Sequence, residues 1–258
     1  MASEAMKRPL FSCVMPVKGP RPFMDEALAS LSSQGMGDDL EVIVQDGDIE
    51  PDAGQSDALN KGFAKAKGEW FFWLNADDVL LPGALQAVRR LIENRPTVQW
   101  IAGNEVFIND MGRIVACAVG HRWHGGLVRY AVPHVYGPSS FFRRELFAAI
   151  GGFDRTLRFC MDWDLWIRFG QRGVRFERVS DYLWAQRRWE GSKTQRRIDA
   201  DESRRQWREI DGMLQKNGFR VTVGGLWRLR LWRLLCGCYF RELKDACRLR
   251  GRRLDAFA

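Results

Sequence analysis

The run Gly68-Glu69-Trp70-Phe71-Phe72-Trp73-Leu74-Asn75-Ala76-Asp77-Asp78 constrains this chain more than any other segment. Trp70 to Leu74 is wholly apolar, opened by Gly68 and closed by two adjacent carboxylates, with Pro82-Gly83 just beyond. A short apolar run bounded this way reads as a buried strand. Acids at the C-terminal tip of such a strand lie where α/β sheets place their ligands. Paired carboxylates also suit a hard divalent cation that holds phosphate oxygens as well. The competing reading of the pair alone is a solvated turn.

The flanking segments repeat the pattern. Phe11 to Val17 reads as a buried strand, and Phe23 to Gln34 as a helix closed near Gly35. Leu40 to Val44 is a second strand, ending at Asp46-Gly47-Asp48. Asp57 to Ala66 is a second helix, capped by Ser56 or Asp57. Strands alternating with helices of about ten residues predict βαβ units and a largely parallel sheet. Right-handed crossovers would bring the acidic strand ends onto one edge. Further on, the spacing predicts a helix over 85–94 and strands over 100–108, 114–119 and 139–142. It then predicts helices over 144–150 and 161–169, a strand over 174–184, a loop over 191–194 and a polar helix over 199–216. Residues 121–138 give no clear pattern.

At 258 residues and 46% hydrophobic, the chain can build one large core or two small ones. Six cysteines form no CxxC pair, which fits free thiols in a reducing cytosol. Residues 1–10 mix Glu4, Lys7 and Arg8 and read as no secretory signal, and no apolar window reaches transmembrane length. The net charge is +8. Nine Lys or Arg against two acids between Leu226 and Arg253 account for +7 of it. The main body is nearly neutral, which argues against nucleic acid as a partner.

In order along the chain come Val14-Met15-Pro16, Val42-Ile43-Val44-Gln45-Asp46-Gly47, Gly54-Gln55-Ser56-Asp57-Ala58-Leu59-Asn60-Lys61-Gly62 and Gly68 to Asp78. Phe141-Phe142-Arg143-Arg144, Gly151-Gly152-Phe153-Asp154 and Met161-Asp162-Trp163-Asp164-Leu165-Trp166 follow. In order and spacing these segments, from about residue 10 to 195, resemble a family 2 glycosyltransferase of GT-A fold. The resemblance implies a Rossmann-like, mixed and mostly parallel sheet flanked by helices. It implies a nucleotide-sugar lobe over 9–115 and an acceptor and catalytic lobe over 116–198 of the same domain, leaving 199–258 as a helical tail.

It further implies donor-binding roles for Asp46, Asp57, Asn60, Asp77 and Asp78. Asp46 would receive the base, as an Asp can accept an imide or amino hydrogen. The DXD-type motif reads Asn75-Ala76-Asp77-Asp78 here, with Asp78 as the ligand of Mn²⁺ or Mg²⁺ and Asp77 on the ribose side. Asp162 would be the base that takes the acceptor's proton during an in-line, inverting displacement. Capping the helix Trp163 to Phe169 is a compatible second role. Asp164, two residues on, faces elsewhere on a helix and ranks second. The implied donor is a UDP- or dTDP-sugar, and the acceptor a lipid-linked or growing cell-surface glycan.

Two departures stand out. Met161 replaces the first acid of the family's acidic pair. Trp189, in Arg187-Arg188-Trp189-Glu190-Gly191-Ser192-Lys193-Thr194, occupies the place of a His that can complete the metal site. An indole offers only an N–H donor, so the metal would rest on Asp78, diphosphate and water, or Arg188 and Lys193 would supply positive charge instead. His121, His124 and His134 fit no standard metal spacing. Trp70, Phe71, Phe72 and Trp73 read as core, and Trp163 and Trp166 as core or as sugar platforms.

In the tail, Arg230, Arg233, Gly237, Arg241, Lys244 and Arg248 fall on one stripe of a single helix, with Trp227 and Trp232 alongside. A Trp-bearing helix with a basic face suits an anionic membrane surface. A peripheral enzyme at the inner face of the cell membrane is therefore expected. Docking of that helix on the protein, charged face outward, is the alternative. Two other functions stay open: a nucleotidyltransferase on a related fold, and a catalytically inactive GT-A scaffold, which Met161 and Trp189 favour.

Overall fold

The structure is a computed structural model that describes residues 8–124, 135, 137–192, 200–220 and 222–257. The first half follows the expected alternation: β1 (Phe11–Val17), α1 (Met24–Ser32), β2 (Leu40–Asp46), α2 (Gln55–Lys65) and β3 (Trp70–Trp73). A two-residue strand β4 (Val79–Leu80), unforeseen in the sequence, precedes α3 (Ala84–Asn94), β5 (Trp100–Asn109) and β6 (Ile114–Ala118). Then come β7 (Ser140–Arg143), α4 (Arg144–Ala149), α5 (Met161–Gln171) and β8 (Phe176–Arg188), which runs past its expected end at 184. Three α-helices follow, α6 (Ala200–Lys216), α7 (Val223–Leu235) and α8 (Cys238–Leu249), and then a short 3-10 turn over Leu254–Phe257.

One mixed sheet has the order β2-β1-β3-β7-β5-β8-β4, with β6 on β5. β1 runs parallel to β2 and β3, and β5 parallel to β8. β7 lies antiparallel between β3 and β5. A strand from the second half of the chain is therefore built into the sheet of the first.

Local chemistry explains the central strands. β1 is paired on both sides only as far as Val14, so Pro16, which has no N–H to give, sits where β3 has already ended. Gly68, two residues before β3, lies against the start of β1. A Cβ there would lie 2.7 Å from the Ser12 nitrogen and 2.8 Å from the Phe11 carbonyl carbon, so only glycine fits.

Strict alternation along β3 divides the core. Phe71 and Trp73 join one layer with Phe63, Phe142, Phe147 and Trp166, while Trp70 and Phe72 join another with Phe11, Leu85, Val88 and Phe141. Trp166 stacks on Trp100 at 5.0 Å and on Trp73 at 6.1 Å. Trp163 and Trp166 are both buried, so they are core residues and not sugar platforms.

The tail departs from the expected single helix. Gly237, at φ +70°, breaks it into α7 and α8. Arg233, expected on an outer stripe, points inward. It donates to the Val119 carbonyl at 3.0 Å and to Glu242 at 2.6 Å. Cys238 and Leu249 join a third core cluster with Val106, Ile114 and Tyr182. The chain after α8 closes the free side of β6 through Gly251 N to Ile114 O and Ile114 N to Arg252 O.

Candidate active site

A cleft of about 630 Å³ opens at the C-terminal ends of β1 and β3, walled by the start of α2, the start of α5, the end of β8 and α6. Asp77 and Asp78 line it together with Asp162, which is distant from them in sequence.

Asp78 is 2% exposed. Its Oδ1 accepts the Arg187 backbone N–H at 2.9 Å and its Oδ2 accepts Asn75 Nδ2 at 2.8 Å. Burial, and secondly the charge of Asp77, push its pKa up to about 8. Asp77 Oδ2 accepts the Trp189 Nε1–H at 2.9 Å. Trp189 packs edge-on against Phe23, and a Cβ on Gly191 would lie 2.2 Å from its ring.

Arg187 holds this end of the cleft together. Its buried guanidinium donates to the Asp77 carbonyl at 3.0 Å, pairs with Glu26 at 2.5 Å and stacks over Phe23 at 4.2 Å. Sequence reading missed this role, because nothing in an Arg-Arg-Trp string tells which arginine turns inward. Arg188 lies over the Phe107 ring at 3.7 Å, and Lys193 falls outside the described residues.

Asp162 is the second residue of α5, whose cap is Cys160. It is therefore not the N-cap; it sits in the first turn, where the helix dipole favours an anion. The entry to α5 is pinned from two sides. Glu209 of α6 accepts the Phe159 N–H at 2.6 Å and the Cys160 N–H at 3.1 Å, and Ser56 donates to the Leu157 carbonyl at 2.7 Å. Asp164 is fully buried. It pairs with Arg168 at 2.7 Å and accepts from Asn217 at 3.0 Å, so it builds structure and does not line the cleft.

The other expected donor residues lie beside the cleft. Asp46 takes a bidentate pair from Arg21 at 2.7 and 3.1 Å, which holds its carboxyl below the usual range. Arg21 itself lines the cleft. Asp57 accepts the Ala53 N–H at 3.1 Å and pairs with Arg155 at 3.1 Å, shaping the loop before α2. Asn60 clamps residue 153: its Nδ2 donates to the Phe153 carbonyl and its Oδ1 accepts the Phe153 N–H, both at 2.9 Å.

Asp52, which lines the cleft 3.8 Å from Lys18, went unnoticed in a polar loop. Glu105 on β5 also escaped notice. It is buried, and burial first, then the charge of Asp78, raises its pKa well above normal.

Two adjacent carboxylates that repel each other at the edge of a cleft are a donor set suited to Mn²⁺ or Mg²⁺. No group of three or more His, Cys, Asp or Glu fit to hold a metal exists among the described residues, so diphosphate and water would complete the shell. His121 is buried with Nδ1 donating to the Arg122 carbonyl at 2.6 Å, His124 packs on Trp232, and His134 lies outside the described residues.

Residues 49–151 match the sequence profile described as Glycosyl transferase family 2. That match covers 103 of the 258 residues. The match takes in Asp52, Asp57, Asn60, Asp77 and Asp78. A PGL/p-HBAD biosynthesis glycosyltransferase of Mycobacterium bovis is 27% identical over 192 residues, 63% of this chain and 70% of that protein. An uncharacterized glycosyltransferase of Rickettsia typhi is 24% identical over 187 residues, 62% of this chain and 58% of the relative. The chain thus spans little more than half of the rickettsial protein.

Two solved structures share the fold. S. aureus TarS 1–349 in complex with UDP-GlcNAc has a TM-score of 0.60 at 16% identity, covering 79% of this chain and 65% of that one. The mannosyltransferase PcManGT from Pyrobaculum calidifontis, in complex with GDP-Man and Mn²⁺, has a TM-score of 0.57 at 18% identity and covers 97% of this chain and 79% of that one. The fold of this chain is GT-A.

Proposed function

We propose that this protein moves a sugar from a nucleoside-diphosphate sugar to a hydroxyl acceptor, with inversion at the anomeric carbon. The observation that carries the proposal is the convergence of Asp77, Asp78 and Asp162 on one cleft. Asp162 takes the proton of the attacking hydroxyl. Asp77 and Asp78 face the donor. Mn²⁺ or Mg²⁺ held by Asp78 would neutralise the charge that gathers on the leaving diphosphate. Asp46 serves the base end through Arg21, with Asp52 and Lys18 beside it. The solved relatives in complex with UDP-GlcNAc and with GDP-Man support a nucleotide-sugar donor, and a UDP- or dTDP-sugar is our choice of class.

The acceptor we propose is a lipid-linked or growing cell-surface glycan, met at the inner face of the cell membrane, with residues 226–253 on an anionic lipid surface. The test of the chemistry is the product: NMR of the transferred sugar should give the anomeric configuration opposite to the donor's. Retention would overturn the in-line displacement.

A catalytically inactive GT-A scaffold is the second reading. The Trp189 indole on Asp77 and the Met161 sulfur beside Ser56 favour it. Full cellular function in an Asp162→Asn strain would support the scaffold.

A further inference from the structure

α7 and α8 form a hairpin that turns charged groups inward alongside Leu229, Cys238 and Leu249. Arg233 pairs with Glu242, and Asp245 accepts from the Tyr182 hydroxyl at 2.8 Å and from Arg241 at 3.3 Å. Outward point the large apolar side chains: Trp227 is 64% exposed, Leu234 61%, Leu235 70%, Phe240 75% and Leu243 66%. Trp227, Leu231, Leu234 and Leu235 recur at helical spacing along α7, and Phe240 and Leu243 are exposed on α8. Exposed apolar surface of this extent on a protein marks a binding face.

The charges around that face point to its occupant. Glu242 and Asp245, the two acids between Leu226 and Arg253, are both turned inward and paired. Arg228, Arg230, Lys244, Arg248 and Arg250 are exposed. What faces out is thus apolar in the middle and cationic around it. An apolar protein partner would not call for that rim, whereas a bilayer with anionic headgroups matches both parts.

We propose that the α7–α8 hairpin is a membrane foot: its Trp, Leu and Phe face enters the interfacial layer of an anionic bilayer, and the arginines and lysine at its rim meet the lipid phosphates. This rests on the membrane-peripheral reading above and changes its contact surface. The basic stripe expected from the sequence is partly spent on the protein itself, and the apolar side makes the insertion.

The test is co-sedimentation of the full chain with phosphatidylcholine vesicles and with vesicles containing phosphatidylglycerol. Three proteins are compared: wild type, Trp227→Ser/Leu234→Ser/Phe240→Ser/Leu243→Ser, and Arg230→Gln/Lys244→Gln/Arg250→Gln. All altered residues are exposed, and unchanged circular dichroism confirms folding. The apolar variant should lose binding to anionic vesicles by at least about tenfold, through lost insertion. The basic variant should lose the preference for anionic over neutral vesicles. Wild-type tryptophan emission should shift to the blue on binding, and less so in Trp227→Phe.

Sedimentation of the apolar variant at the wild-type level would overturn the proposal, as would equal wild-type binding to neutral and anionic vesicles. So would a stable wild-type dimer that the apolar variant converts to monomer, since a second copy would then own the face. Nucleoside diphosphate release measured in parallel without vesicles reads the transferase proposal separately. Its absence alongside vesicle binding sinks the chemistry and leaves the foot.

Discussion

The indole N–H of Trp189 donates to a carboxylate oxygen of Asp77 at 2.9 Å. A hydrogen-bond donor thus reaches the acidic pair from the position where the resemblance to family 2 implies a metal-binding His. Trp189 therefore orients Asp77 and ligates nothing. Trp189→Phe keeps the packing on Phe23 and removes the N–H. It should leave the melting temperature nearly unchanged and lower kcat/KM for the donor about tenfold, or ~1.4 kcal/mol. Trp189→His should instead tighten Mn²⁺ binding, read by calorimetry without any donor.

The two acids of α5 separate chemistry from structure. Asp162→Asn should cut transfer by on the order of 10²- to 10⁴-fold with donor affinity and folding intact. Asp164→Asn leaves Arg168 without its buried counter-charge. It should lower stability by about 2 kcal/mol while the folded fraction keeps its turnover. Paired urea unfolding and steady-state kinetics check both.

Arg187 ties β8 to Glu26 and to the turn bearing Asp77. Arg187→Ala should cost about 3 kcal/mol in urea unfolding and abolish donor binding, because the backbone under both carboxylates loses its anchor. Arg187→Lys should not restore binding, since an ammonium cannot reproduce the guanidinium's spread of donors or its stacking on Phe23.

His121 gives a pH signature. Burial lowers its pKa to about 4, so it stays neutral in the fold. Between pH 6.5 and about 4 the unfolded chain binds more protons at this residue than the native one. Stability is therefore full above the unfolded pKa and falls as the pH drops through that window, by up to roughly 3 kcal/mol. His121→Phe should remove this part of the slope in unfolding curves taken from pH 7 to 4.

The βαβ half was legible because its signals are local: apolar strands, helices of even length and breaks at Gly and Asp. That Asp77 and Asp78 follow the end of one element and Asp162 stands at the start of another was legible for the same reason. Asp46 stands at the tip of β2, and its Arg21 clamp depends on how the loop after β1 folds back across that tip. The resemblance implies donor-binding roles for Asp57 and Asn60; what it does not reveal is that Asp57 also holds Ala53 and Arg155, and Asn60 also clamps Phe153. The tail misled for a geometric reason. Steps of four through Arg233, Gly237 and Arg241 mimic one helical face, and only the left-handed backbone at Gly237 reveals that the stripe is cut.

The most direct measurement is nucleoside diphosphate release from a panel of UDP-, dTDP- and GDP-sugars with Mn²⁺ or Mg²⁺, using a membrane lipid extract as acceptor and Asp78→Ala as control. Metal-dependent release from one donor, lost in the control, is the predicted result. No release from any donor, together with no donor binding by calorimetry, would contradict the account.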